Sequence, residues 1–245
     1  MARRRLWRSA KRERPPRRPR SRGARRPVAR KSKATRAGSK RRGVPLLGEP
    51  GRSGAIGAIV LVVGLGNPGR KYRFTRHNMG RVAAEILIHR SDVLARGKWP
   101  EGELTLVSQG GARFLILTPE TFMNISGRAV APVIDRYRLS PEQVLVLHDD
   151  IDLPLGDVRV KRGGGTAGHK GLASLVQELG AGSFARIRIG VGRPPEAVDP
   201  AEYVLNGFSS EESPRAEKAV NDAADAALAA VLDDDTHHEE KKLGE

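Results

Sequence analysis

Ile59-Val60-Leu61-Val62-Val63 runs directly into Gly64-Leu65-Gly66-Asn67-Pro68-Gly69. A continuous apolar run, mostly β-branched, predicts a buried central strand, because a strand covered on both faces loses the alternation of a half-wet one. The glycines that follow match the spacing of a dinucleotide-binding loop when taken alone. Such a loop leads straight into a helix whose N-terminus holds a pyrophosphate. Here Pro68-Gly69 predicts a turn instead, and Tyr72, Thr75, Arg76, His77 and Asn78 intervene before the next helical pattern. Polar and aromatic groups gathered after the carboxyl end of a strand describe a reaction site better than a nucleotide cradle.

Outward from this strand, periodicities of 3.6 and 2 alternate along the chain. Gly80 to Arg96 reads as a helix with Ala83, Ile86, Leu87 and Leu94 on one side. Leu104–Val107 and Phe114–Leu117 read as two strands joined around Gly110-Gly111. Ser126 is placed to cap a helix carrying Val130, Val133, Ile134 and Tyr137 inward, with Pro132 in its path. Val144–Leu147 is a further strand, and Asp157–Lys161 alternates as a strand with one wet face. Leu172, Leu175, Val176 and Leu179 share a helix that Gly180 ends. Arg186–Ile189 alternates as a half-exposed strand. Glu211–Leu232 is an alanine-rich helix with Ala216, Ala219, Val220, Ala223 and Ala227 on one face. Strands alternating with helices predict a single-domain α/β fold, a three-layer α/β/α sandwich around a mixed, largely parallel twisted sheet.

That domain is expected over residues 59–232, with a charged flexible tail at 233–245. Residues 1–58 differ in kind. They hold 21 Lys/Arg and 2 acids, a net of +19, whereas the remainder holds 23 basic and 26 acidic residues, a net of −3. The overall charge of +16 therefore belongs to the N-terminal segment. Its Arg, Lys, Pro and Ser cannot bury enough apolar surface to offset ordering entropy. Three readings stay open for it: a disordered arm that holds RNA through phosphates, an organelle transit peptide, or upstream sequence joined to the protein by a wrongly assigned start. The chain has no cysteine, which excludes disulfides, thiolate catalysis and cysteine-ligated metals. No apolar run approaches the roughly 20 residues of a membrane span.

Four segments carry the chemistry. The first is Gly64 to Gly80, containing Asn67, Tyr72 and Arg76-His77-Asn78. The second is Pro119-Glu120-Thr121-Phe122-Met123-Asn124-Ile125-Ser126-Gly127. The third is His148-Asp149-Asp150-Ile151-Asp152-Leu153-Pro154-Leu155-Gly156. The fourth is Gly163-Gly164-Gly165-Thr166-Ala167-Gly168-His169-Lys170-Gly171-Leu172. In order and content they resemble the signatures of the bacterial-type peptidyl-tRNA hydrolase family. The resemblance spans about residues 59 to 232. It implies hydrolysis of the ester between a peptide and its tRNA, recycling tRNA from prematurely released peptidyl-tRNA. It implies no cofactor, no metal, no membrane, a cytoplasmic enzyme (organelle import if the extension is a transit peptide), and a monomer.

The resemblance makes His77 the general base, Asp149 the partner that fixes its tautomer, and Asn67 and Asn124 the amides that hold the peptide carbonyl and the developing oxyanion. Imidazole suits a base at neutral pH because its ordinary pKa is about 6.5. On the residues alone, His77 could be a surface or capping histidine, and Asp149 a turn carboxylate with Asp150 or Asp152 in its place. Those three acids lack a second ligand set for a metal. Tyr72 and Phe122 would line the channel for peptide and terminal nucleotide, and ordinary aromatic packing is the alternative. Among Arg159, Lys161, Arg162, Arg186 and Arg188, the resemblance favours Lys161 and Arg188 for a phosphate clamp. Lys170 stands where the family has asparagine. It can donate but not accept, and it is expected either to face the base or to turn outward to a phosphate. A non-catalytic reading also exists, since chloroplast intron-splicing factors share this fold. A serine esterase does not fit, because no Gly-x-Ser-x-Gly turn occurs.

Overall fold

The computed structural model describes residues 61–242, with side chains to residue 232. The basic segment 1–58 and the first two residues of the expected strand lie outside the described residues. Strand β1 (Leu61–Gly64) is wholly buried. Helix α1 (Met79–Arg90) follows, then β2 (Asp92–Trp99), β3 (Gly102–Gln109) and β4 (Ala112–Pro119). Helix α2 (Gly127–Tyr137) leads to β5 (Val144–Asp150) and β6 (Val158–Arg162). Helix α3 (Lys170–Leu179), β7 (Ala185–Gly190), the short α4 (Pro200–Tyr203) and α5 (Ser213–Lys242) complete the order.

Among the described residues seven strands form one sheet in the order β2-β3-β4-β1-β5-β7-β6. The four central strands β4, β1, β5 and β7 run parallel. The hairpin strands β2 and β3 and the edge strand β6 are antiparallel to their neighbours. Helices α1 and α5 pack together on one face and α2 and α3 on the other. The expected three-layer α/β/α sandwich with a mixed sheet is therefore present, its parallel part confined to the centre.

Alternation along β1 divides the core. Leu61 and Val63 join Leu117, Val130, Val133, Val146, Leu172, Leu175 and Phe184 beneath α2 and α3. The opposite face is closed by α1 and by the buried Ala216, Ala219, Val220, Ala223 and Ala227 of α5. Gly80 lets α1 lie against the sheet, since a Cβ there would meet the Leu147 carbonyl oxygen at 2.1 Å. Gly180 ends α3 with φ 68°, as its position predicted.

Five local expectations are corrected. The helix predicted over 80–96 ends at Arg90, and Leu94 lies in β2, 47 % exposed beside a bulge between Val93 and Ala95. Ser91 breaks it by turning its hydroxyl back to the Leu87 carbonyl, and pairing with β3 outweighs continuation. Ser126 does not cap α2: its own backbone is already helical, and its hydroxyl donates to the Met123 carbonyl. The free Gly127 N–H is taken by the Ser174 hydroxyl on α3. Strand β6 is an edge strand whose Arg159–Arg162 are all exposed, including Val160 at 57 %, so both its faces are wet. Conversely β7 is not half-exposed. It lies between β5 and β6, and Arg186 is buried. Helix α5 continues through Lys242, past the helix end read from the sequence at Leu232.

Candidate active site

The chain leaves β1 between two parallel neighbours, β4 on one side and β5 on the other. Loops after such strands diverge and leave a crevice at their carboxyl ends. A cleft of about 800 Å³ opens there, within the usual range for ligand sites. It is lined by groups from the β1 loop, the turn after β4, the end of β5, the glycine-rich loop before α3, β7 and α4. Asn67, Tyr72, His77, Phe122, Asn124, Asp149, Lys161, Lys170 and Arg188, predicted from sequence, all line it.

At its floor, His77 lies in the one-turn helix Arg76–Asn78, and its Nδ1 approaches the Asp149 carboxylate oxygens at 2.9 and 3.0 Å. His169, which the sequence reading left without a role, approaches the same Oδ1 through Nε2 at 3.0 Å. Its Nδ1 accepts the backbone N–H groups of Gly171 and Leu172 at the start of α3. An accepting Nδ1 places the proton of neutral His169 on Nε2, so this ring donates to Asp149. Burial pushes the Asp149 carboxyl up. The facing rings of His77 and His169, by charge and hydrogen bond, reverse this and hold it well below the usual carboxylate range. Asp149 is thus a buried anion receiving two imidazole donors, and the His77 Nε2 remains for the cleft.

Beneath this pair, His148 is 3 % exposed and donates from Nδ1 to the Asp149 carbonyl at 2.8 Å. Burial, then the charge of His169, pushes its pKa down to about 3, so it is neutral. One ligand atom each from His77, Asp149 and His169 lies within 4.8 Å of the others, a spacing that can hold a metal ion. The hydrogen bonds use these atoms differently, as two ring donors converging on one carboxylate.

Asn67 is held at both ends. Asn78 bridges its backbone, accepting its N–H and donating to its carbonyl, each at 2.9 Å. The Asn67 Oδ1 accepts the Met123 N–H at 2.8 Å. Its Nδ2 is therefore the side-chain atom left to donate to the cleft. Asn124 and Phe122, 56 % exposed, stand on the adjacent turn, and Tyr72 is half-buried opposite.

The basic residues divide. Arg186 donates to the carbonyls of Gly164, Gly165 and Gly182. It shapes the glycine-rich loop from the cleft wall, with both terminal nitrogens on carbonyls. Arg188 donates from Nε to Asp150 at 2.7 Å. Lys161 and Lys170 are exposed on the cleft rim, Lys170 as the first residue of α3. Arg76, unremarked by its periodicity, is 5 % exposed. It bonds the carbonyls of Asn206 and Gly207 and Glu212, and lies over the rings of Tyr203 and Phe208. It ties the turn bearing His77 to the wall made by Asp199, Pro200, Ala201, Val204 and Leu205. No short-range pattern marked that wall, since its residues meet the cleft only through the tertiary fold.

A family model described as peptidyl-tRNA hydrolase matches residues 61–244. A peptidyl-tRNA hydrolase of Solidesulfovibrio magneticus is 44% identical over 204 residues, covering 78% of this chain and 94% of that one. One from Geotalea daltonii is 48% identical over 155 residues, covering 63% and 81%. The crystal structure of the peptidyl-tRNA hydrolase from Acinetobacter baumannii matches with a TM-score of 0.65 at 32% identity, covering 75% of this chain and 97% of that one. Among the described residues no helix is long and apolar enough to cross a membrane. With sequence, fold and cleft in agreement, the chain belongs to the peptidyl-tRNA hydrolase family and hydrolyses the ester that joins a peptide to its tRNA.

Proposed function

We propose that His77 performs this hydrolysis as a general base. The observation that carries the reading is the contact of His77 Nδ1 with both oxygens of Asp149. It leaves Nε2 as the ring atom able to take a proton from water. The water oxygen then attacks the ester carbonyl, and the proton returns to the ribose oxygen as the tetrahedral intermediate collapses. Asp149 supports the imidazolium formed on the way and keeps the ring oriented. The Asn67 amide, donating because its oxygen is occupied, and Asn124 stabilise the oxyanion. Tyr72 and Phe122 flank the peptide and terminal nucleotide. Lys161, Arg188 and Lys170 take phosphate, the exposure of Lys170 supporting its outward role.

In this reading the enzyme acts in the cytoplasm as a monomer, without cofactor or metal, and returns tRNA from prematurely released peptidyl-tRNA. The test is release of peptide from an N-blocked aminoacyl-tRNA, with free aminoacyl-tRNA as control. Turnover should persist in chelator and disappear in His77→Ala with tRNA binding retained. Full turnover by His77→Ala, or chelator-sensitive turnover, would overturn the mechanism.

A further inference from the structure

Asp149 and Asp150 are consecutive at the end of β5, yet they serve different parts of the cleft. Asp149 faces the two histidines. Asp150, 8 % exposed, accepts the Asp152 N–H at Oδ1 (2.9 Å) and the Arg188 Nε–H at Oδ2 (2.7 Å). Asp152 in turn pairs with Arg193. The bond to Arg188 is to Nε alone. Among the described residues its Nη1 and Nη2 make no hydrogen bond, and Arg188 lines the cleft. An arginine held by its inner nitrogen keeps its terminal pair as a preset fork, the geometry that matches a phosphate.

We propose that Asp150 is a positioning residue for tRNA binding: it fixes the Arg188 guanidinium so that its terminal nitrogens meet a phosphate of the acceptor end. This rests on the reading of Arg188 as a phosphate contact. An acid beside an anion site ordinarily weakens anion binding, so long-range charge and positioning predict opposite signs for its removal. Asp150→Asn keeps one oxygen for the Asp152 amide and turns an –NH₂ toward Nε, which cannot accept the arginine bond. By charge alone that variant binds tRNA more tightly. By positioning it binds more weakly.

The experiment measures affinity for uncharged tRNA across a salt series, and KM and kcat with N-blocked aminoacyl-tRNA. It uses the full chain, Arg188→Ala, Asp150→Asn, the double variant and Asp150→Glu. Arg188→Ala is expected to weaken binding and lower the salt slope by about one. Asp150→Asn should do the same in part, with the loss falling on KM and not on kcat, and should cause no further weakening in the Arg188→Ala background. Asp150→Glu should recover most of the loss, which also separates positioning from failed folding. Unchanged or tighter binding by Asp150→Asn, or full additivity with Arg188→Ala, would overturn the inference. Unchanged binding and slope in Arg188→Ala would overturn the phosphate reading beneath it.

Discussion

His169 makes two commitments with one ring, and this separates stability from chemistry at a single residue. Its Nδ1 caps α3 while its Nε2 donates to Asp149. Asparagine also accepts at helix N-termini but is too short to reach the carboxylate. His169→Asn should keep the cap, lose only the stability that its bond to the buried Asp149 supplies, and lower kcat. His169→Ala should lose both cap and bond, with about 1 kcal/mol of stability from the missing cap. Chemical denaturation alongside single-turnover rates distinguishes them, and equal kcat in parent and His169→Asn would refute a role for the second donor. Asn67 offers a parallel case. Asn67→Asp can still accept the Met123 N–H but presents an anion where a donor stood. Turnover should fall about 10²-fold or more, as for loss of an oxyanion donor, measured with saturating N-blocked substrate.

At the scale of elements, the site depends on how closely α1 and the wall beyond β7 approach the sheet. Gly80→Ala would drive a Cβ into the Leu147 carbonyl, a backbone atom that cannot yield as a side-chain tip does. Helix α1 must move off β5, and His77 and Asp149 sit at the adjoining ends of those elements. The expected cost is about 1–3 kcal/mol, with kcat falling even at temperatures where the variant stays folded. Arg76 acts across a greater distance. Arg76→Met would remove the guanidinium from the Gly207 and Asn206 carbonyls and from Glu212, though the Asn206 carbonyl keeps the Arg76 backbone N–H and Glu212 keeps the Ser209 N–H, costing about 2–3 kcal/mol. Urea midpoints of parent and variant test this, and a cost below 1 kcal/mol would show that the wall holds without it.

Across the whole molecule, the buried histidine pile sets the acid limit. His148 has an ordinary value of 6.5 and a folded value of about 3. Above pH 6.5 it is neutral in both states and contributes no pH dependence. Between 6.5 and about 3 only the unfolded chain takes the proton, so stability falls as pH falls, by about 2 kcal/mol at pH 5. Asp149, depressed by its histidines, adds stability that is present above its ordinary value of 3.8 and lost as pH drops toward its folded value. His148→Gln should therefore flatten the stability curve between pH 4 and 6.5 by one proton, read from urea midpoints against pH. An unchanged slope would mean that His148 already carries its proton in the fold. Removal of residues 1–58 should leave turnover intact, because the family match begins at residue 61, and should weaken tRNA binding only at low salt.

Much of this protein is local in origin and could be read without coordinates. The run around Leu61–Val63 predicts a buried strand because both its faces are apolar, and it is the fully buried centre of the sheet. Four separated signatures carried the family, and with it His77, Asp149, Asn67 and Asn124, which meet in one cleft. Short-range pattern failed where long-range pairing competes with it. Residues 91–96 have helical spacing but gain more by pairing with β3. Arg186 and Arg188 look equivalent in an alternating strand. Tertiary contact makes one a brace for the glycine-rich loop and holds the other by its Nε alone. The double donor to Asp149, the one-sided amide of Asn67 and the α4 wall also arise only when distant segments fold together. Hydrogen-bond direction depends on which partner arrives, and residue type alone does not specify that partner.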